Sequence, residues 1–178
     1  MKNKQYTVNI LSGDGFGDLL KGLKGYYDWL KIKSEELLDR LSDEGYKIAS
    51  AGFASAAYDG TNDTFVKVEE RGTHARAVIA VGTAVLFIEF GTGVTYPDSH
   101  PEAGAHGMVR GGYGQGKGKQ KSWGYYGDPG TNGEVKFNKS GQAVVITHGN
   151  PANMPMYEAV KQLQERLPEL VKEVFSYD

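Results

Sequence analysis

Apolar residues at Phe16, Leu20, Leu23, Tyr27, Leu30, Leu37, Leu41 and Ile48 are separated by steps that are sums of three and four, so a helix places them on one face. A stripe of this length predicts a long amphipathic helix that must find apolar cover, and it limits what the rest of the chain can build around it. Gly22 and Gly25 weaken its beginning by up to about 1 kcal/mol each relative to alanine, and with Gly45 they allow a late start or a break. Asp59-Gly60-Thr61-Asn62-Asp63, a cluster of turn formers, ends it.

Beyond the turn, Thr64 to Glu70 alternates apolar and charged residues with period two, as a half-buried strand does. Ala75 to Val81 is a second strand candidate, and Gly72-Thr73 between the two suits a hairpin. Residues 84–90 stay ambiguous. Thr83 can cap a short helix that ends at Gly91, or Val85 to Phe90 can continue the sheet, because short apolar runs do not separate the two by period. From Thr92 to Gln142 glycine punctuates the chain and periodic apolar residues are absent, which predicts a long insertion. Trp123 to Tyr126 and Glu134 to Phe137 are expected to pair as short strands within it. Ala143 to Thr147 is β-branched and returns the chain to the core. Asn150-Pro151 and Met154-Pro155 then mark a turn into a second helical stripe, Tyr157 to Val174, in which Pro168 predicts a kink or a restart.

These elements define an α+β class: a small, mainly antiparallel sheet packed by a long N-terminal helix and a C-terminal helix. A chain of 178 residues suits a single domain, with a core over about 6–91 and 143–176 and an arm over 92–142. Twenty basic and 22 acidic residues give a formal charge of -2, so no global field draws the chain to nucleic acid or an anionic membrane. No cysteine is present, which excludes disulfides, thiolate metal sites and cysteine nucleophiles. The most apolar stretch, Ala77 to Phe90, is broken by Gly82 and Thr83, and the residues after Met1 do not read as a secretory signal, so a soluble protein made in a cytoplasm is expected.

The order of features resembles the minor tail-component, or tail-completion, family of tailed bacteriophages. Members carry a "VEFGT"-like segment, here Ile88-Glu89-Phe90-Gly91-Thr92-Gly93, followed later by a proline-methionine turn into the last helix, here Pro151 to Ala159. His100-Pro101 and Trp123-Gly124-Tyr125-Tyr126 match the longer branch of the family, and the likeness runs over about residues 17 to 175. Ile88 stands where valine is commoner. The resemblance implies a ring-forming structural protein of the virion neck, with copies of itself, the head connector or stopper, and the tail terminator or tail-tube proteins as partners. It implies no cofactor and no enzyme activity.

Residue chemistry narrows the candidate sites. Gly91 allows a positive φ and Thr92 can bond local backbone, so Ile88 to Gly93 suits a sharp exit from the core. Glu89, set between the apolar anchors Ile88 and Phe90, needs a donor, which a basic residue of a neighbouring subunit or a backbone N–H can supply. Candidate interface residues are Glu89, Phe90, Gly91, Thr92, Trp123, Tyr125, Tyr126, Met154 and Met156; ordinary turn and core roles are the competing reading. Arg110, Lys117, Lys119 and Lys121, interleaved with glycine and tyrosine, are candidate DNA-facing residues, and a nucleic-acid-binding module is the alternative function. A small hydrolase using Glu89 with Asp98 or Glu102 is a third reading. The four histidines, His74, His100, His106 and His148, lack the spacing of a helical zinc site, and no P-loop or nucleophile elbow occurs.

Overall fold

The computed structural model describes residues 7, 15–94, 99–109, 112 and 120–176. Its elements are α1 (Gly15–Ala54), β1 (Phe65–Glu70), β2 (Arg76–Val81), α2 (Val85–Phe90), β3 (Trp123–Tyr125), β4 (Glu134–Phe137), β5 (Ala143–Thr147) and α3 (Pro155–Val174). The class is α+β, with long first and last helices.

Helix α1 runs unbroken through all of its glycines. Two of them mark close approach to α3. A Cβ on Gly45 would lie 3.0 Å from Leu163 Cδ1, and one on Gly52 would lie 2.7 Å from Pro155 Cβ. The break that Gly45 offers is therefore not taken, because burial against α3 offsets the loss of helix propensity there. Ion pairs at helical spacing, Lys33 to Glu36 at 2.8 Å and Arg40 to Glu36 at 2.7 Å, support the middle of α1.

The strands form two antiparallel sheets where one was expected. β1 and β2 make a hairpin in which Phe65 faces Val81 and Glu70 faces Arg76, turning through Gly72 at φ 76°. The second sheet has the order β3-β5-β4. Thus β3 and β4 do not pair with each other as expected; each pairs with β5, Trp123 opposite Thr147 and Phe137 opposite Ala143. β5 holds the central place because its β-branched residues are half-buried or buried beyond Ala143, whereas every residue of β4 is exposed.

Within residues 84–90 the chain resolves as helix from Val85 to Phe90. Ala84, not Thr83, occupies the N-cap position of α2, and Gly91 closes it at φ 78°. The Thr83 hydroxyl instead donates to Asp63 at 2.8 Å. Pro168 neither breaks nor restarts α3, which is continuous from Pro155 to Val174. The proline is on the exposed side, where water can satisfy the carbonyl left without its helical donor.

The core joins α1, the hairpin, α2 and the start of α3 through Phe53, Ala56, Val66, Ile88 and Ala159, with Val78 and Met156 packed against them. Gly25 and Gly52 should consequently respond to alanine with opposite signs. A Cβ at Gly25 meets nothing within 4 Å, so Gly25→Ala is expected to stabilise by up to about 1 kcal/mol. Gly52→Ala drives a methyl into the Pro155 ring and is expected to destabilise by about 2 kcal/mol. Urea denaturation of the two variants measures both effects.

Candidate functional site

Helix α3 begins without a cap of its own. Met154, at its N-cap position, is the one non-glycine residue with positive φ among the described residues, at 56°, and its side chain makes no capping bond. Pro155 fills the first helical position, where a missing N–H costs nothing. The next two donors are satisfied from α2. Glu89 Oε2 accepts from Met156 N at 2.9 Å, and Oε1 accepts from Tyr157 N at 3.0 Å. A carboxylate here meets both the unpaired amides and the positive end of the helix dipole.

A third donor completes the arrangement. The Glu102 backbone N–H donates to His100 Nδ1 at 3.1 Å, which leaves the proton of the neutral ring on Nε2, 3.2 Å from Glu89 Oε1. Glu89 is 6% exposed and His100 4%. The imidazole lies between Phe90, with ring centroids 4.4 Å apart, and Tyr157 at 5.2 Å, edge-on. His106 also comes near Phe90, with ring centroids 5.9 Å apart, and pairs with Glu102 at 3.5 Å. Residues far apart in sequence thereby converge on one buried carboxylate.

A second polar centre lies just beyond Gly91. Asn150, 1% exposed, accepts from Asp59 N at 2.8 Å and from Asn132 Nδ2 at 3.2 Å, while its amide nitrogen donates to Asp59 Oδ1 and, at 3.3 Å, to Thr92 Oγ1. Thr92 also exchanges backbone bonds with Asn150: its N–H donates to the Asn150 carbonyl, and its hydroxyl accepts from Asn150 N, both at 2.9 Å. Asn153 adds a third tie. It clasps the Ala57 backbone by both ends of its amide, and its own N–H donates to the Ile88 carbonyl at 2.9 Å. Gly91 has no room for a side chain, since a Cβ would lie 2.8 Å from both Ala152 N and the Asn150 carbonyl.

Burial raises the Asp59 carboxyl above its ordinary value, partly opposed by the Asn150 amide. Asp59 Oδ2 is buried without a hydrogen-bond partner. Tyr125, whose hydroxyl donates to the Asp128 carbonyl at 2.8 Å, is pushed up to about 12 by desolvation and then by the charge of Asp59. Tyr58 moves in the same direction for the same reasons.

The structure brings Glu89, Phe90, Gly91, Thr92, Met154 and Met156 into this one region. Trp123 is close by, its ring 3.3 Å from where a Cβ on Gly93 would stand. Tyr125 packs beside the Asp59 centre, and Tyr126 points outward at 64% exposure. Lys121 is exposed. Arg110, Lys117, Lys119 and Asp98 lie outside the described residues, and Glu102 turns its side chain to His106. The donor that Glu89 requires is found within the chain, in two backbone amides and an imidazole. His100, Asp59, Asn132 and Asn150 are not among the site residues that the sequence marked: His100 stood out only beside Pro101 and among the four histidines, Asp59 and Asn150 only as turn formers, and Asn132 not at all. Among the described residues no group of three histidines or carboxylates could hold a metal ion, and no helix is long and apolar enough to cross a membrane.

No family model, curated protein or solved structure matches this chain.

Two substitutions probe the site. Glu89→Ala strands two helix-start amides and a buried imidazole and is expected to cost about 3 kcal/mol, a fall in Tm of roughly 10 °C, whereas Glu89→Gln keeps an acceptor and loses less. Thermal unfolding of both variants checks the order. Asp63 sets the turn into α2: its carboxylate accepts from Thr83 N at 2.8 Å and Ala84 N at 3.0 Å, which holds its carboxyl at about 2. A folded value below the ordinary carboxylate value means that its stabilisation is present at neutral pH and is lost as pH falls from about 4 toward 2. Asp63→Ala should therefore lower Tm at pH 7 and converge with the parent chain in that acid window.

Proposed function

We propose that the chain is a structural subunit of the neck of a tailed bacteriophage, a tail-completion or head-tail joining protein without catalytic activity. In this reading it is made in the bacterial cytoplasm and assembles as a ring, sixfold to match a tail tube, between the head connector and the tail. The observation that carries the proposal is the docking of its two motif segments on each other. Ile88 to Gly93 and Asn150 to Ala159 are joined through Glu89 to the first turn of α3, through Asn153 to the Ile88 carbonyl, and through Thr92 to Asn150. Motifs recognised by their order along the chain thus serve as the two halves of one joint.

Both Glu89 oxygens accept from donors of the fold itself, so the carboxylate serves to hold that joint together. The surface supports the proposal further. Large side chains stand in that surface on α1 and on β4, among them Phe16 at 63% and Phe137 at 73% exposure. A subunit made to be covered by neighbours has this property.

Removing the gene from a phage that encodes the chain is expected to leave filled heads and complete tails that do not join, with joining restored by supplying the protein in trans. Electron micrographs and plaque counts read the result. Infectious particles of normal yield without the protein would overturn the proposal.

A further inference from the structure

Helix α1 is twice as long as the helix that packs against it. At 1.5 Å per residue, the 40 residues of α1 span roughly 60 Å and the 20 of α3 roughly 30 Å. The two run antiparallel: Pro155 stands beside Gly52, Arg166 pairs with Glu44, Glu173 with Arg40, and Phe175 meets Trp29 edge-on at 5.8 Å. Beyond that last contact, residues 15–28 continue for roughly 20 Å without α3 beside them.

This overhang carries Phe16, Leu20, Leu23 and Tyr27, which are 63%, 65%, 45% and 67% exposed. At 3.6 residues per turn all four fall within an arc of about 60°. The same arc, prolonged along α1, contains Leu41 and Gly45, and α3 covers it there. Spacings of four, three and four are those of a heptad seam, in which knobs of one helix enter holes of another.

We infer that residues 15–28 of α1 form a contact between copies of this chain, in which the four side chains pack against the same stripe of a second copy. Three observations select that occupant. The side chains leave on the order of 450 Å² of apolar surface on one copy, and two such faces together approach the ~1,000 Å² that a specific interface requires. The ionic side chains of the overhang, Asp18, Lys21, Lys24 and Asp28, cancel, so the segment offers no field for an acidic or a basic partner and no net repulsion between copies. Finally, the seam is continuous with the α1–α3 packing, so a neighbour's helix takes up the stripe where α3 stops. Because the stripe meets itself, the contact is two-fold and joins copies in pairs, so it is separate from the head-to-tail contacts that the ring proposed above needs.

Light scattering on the full chain tests it. The parent chain is expected to scatter as a multiple of 19.4 kDa, and the double variant Leu20→Glu, Leu23→Glu as 19.4 kDa itself, with unchanged helix content by circular dichroism. A parent chain that remains monomeric, or a folded double variant that keeps the parental mass, would overturn the inference. Single variants Leu20→Glu and Leu20→Lys guard against misfolding: each alone should dissociate, and mixing them should restore association. Folded variants that fail to restore it would equally overturn self-pairing. Scattering asks only whether the chain binds itself, so a negative result leaves head-tail joining untouched, and a phage that grows without the gene leaves this surface untouched.

Discussion

The carboxylate of Glu89 holds the fold together at its least self-sufficient point. A helix that starts on a left-handed methionine and a proline has no local means of satisfying its first amides, and α3 obtains that acceptor from α2. Because the same oxygen also receives His100 Nε2–H, the segment after Gly91 is drawn back onto the core at the level of Phe90 and Tyr157. α2 is only six residues long and is buried over its second half, so it acts less as a helix than as a bracket that presents one charge in a fixed direction. Placing that charge inside the protein is tolerable only because every donor around it is itself fixed by the chain.

The Asn150 centre works by a different principle. Its members are mostly neutral and its bonds are numerous, so the geometry is set by satisfying donors and acceptors and not by charge. It gathers the end of α1, the exit from α2, the β3–β4 connection and the approach to α3 on a single amide side chain. The backbone bonds of Thr131 and Gly133 continue the same seam, one to Tyr58 and one within the turn to Pro129. Asp59 retains one oxygen without a donor, and in the same region burial first, and the Asp59 charge second, make the Tyr58 and Tyr125 phenols harder to ionise.

Much of this architecture was legible in the chain, and the unread parts share a cause. Periodicity carried α1, the β1–β2 hairpin and α3, because a stripe or an alternation is a local property. The exit at Gly91 was readable too, since a glycine after two apolar anchors has few other uses. The need of Glu89 for a donor followed from its neighbours; the identity of that donor did not, because Met156 and Tyr157 lie more than sixty residues away and offer only backbone. Asp59 looked like an ordinary turn former, and its pairing with Asn150 spans 91 residues with no pattern to announce it. The partition of the strands failed for a similar reason. Their common place within one glycine-rich insertion made β3 and β4 look like a pair of their own, whereas the strand able to bury its residues lay after both of them.

That strand order has a bearing on how the protein is made. During synthesis β3 and β4 emerge first and have no partner, because the strand that separates them in the sheet is the last of the three to appear. Only eight residues later α3 begins, and with it the amides that Glu89 receives. The second sheet, the Asn150 centre and the docking of α3 are therefore completed by one short stretch of chain, residues 143–157, and a ribosome that stalls before it leaves all three unfinished together. Long-range closure of this kind is slow compared with helix formation, so α1 is expected to be present as a helix well before the surface beneath it is assembled.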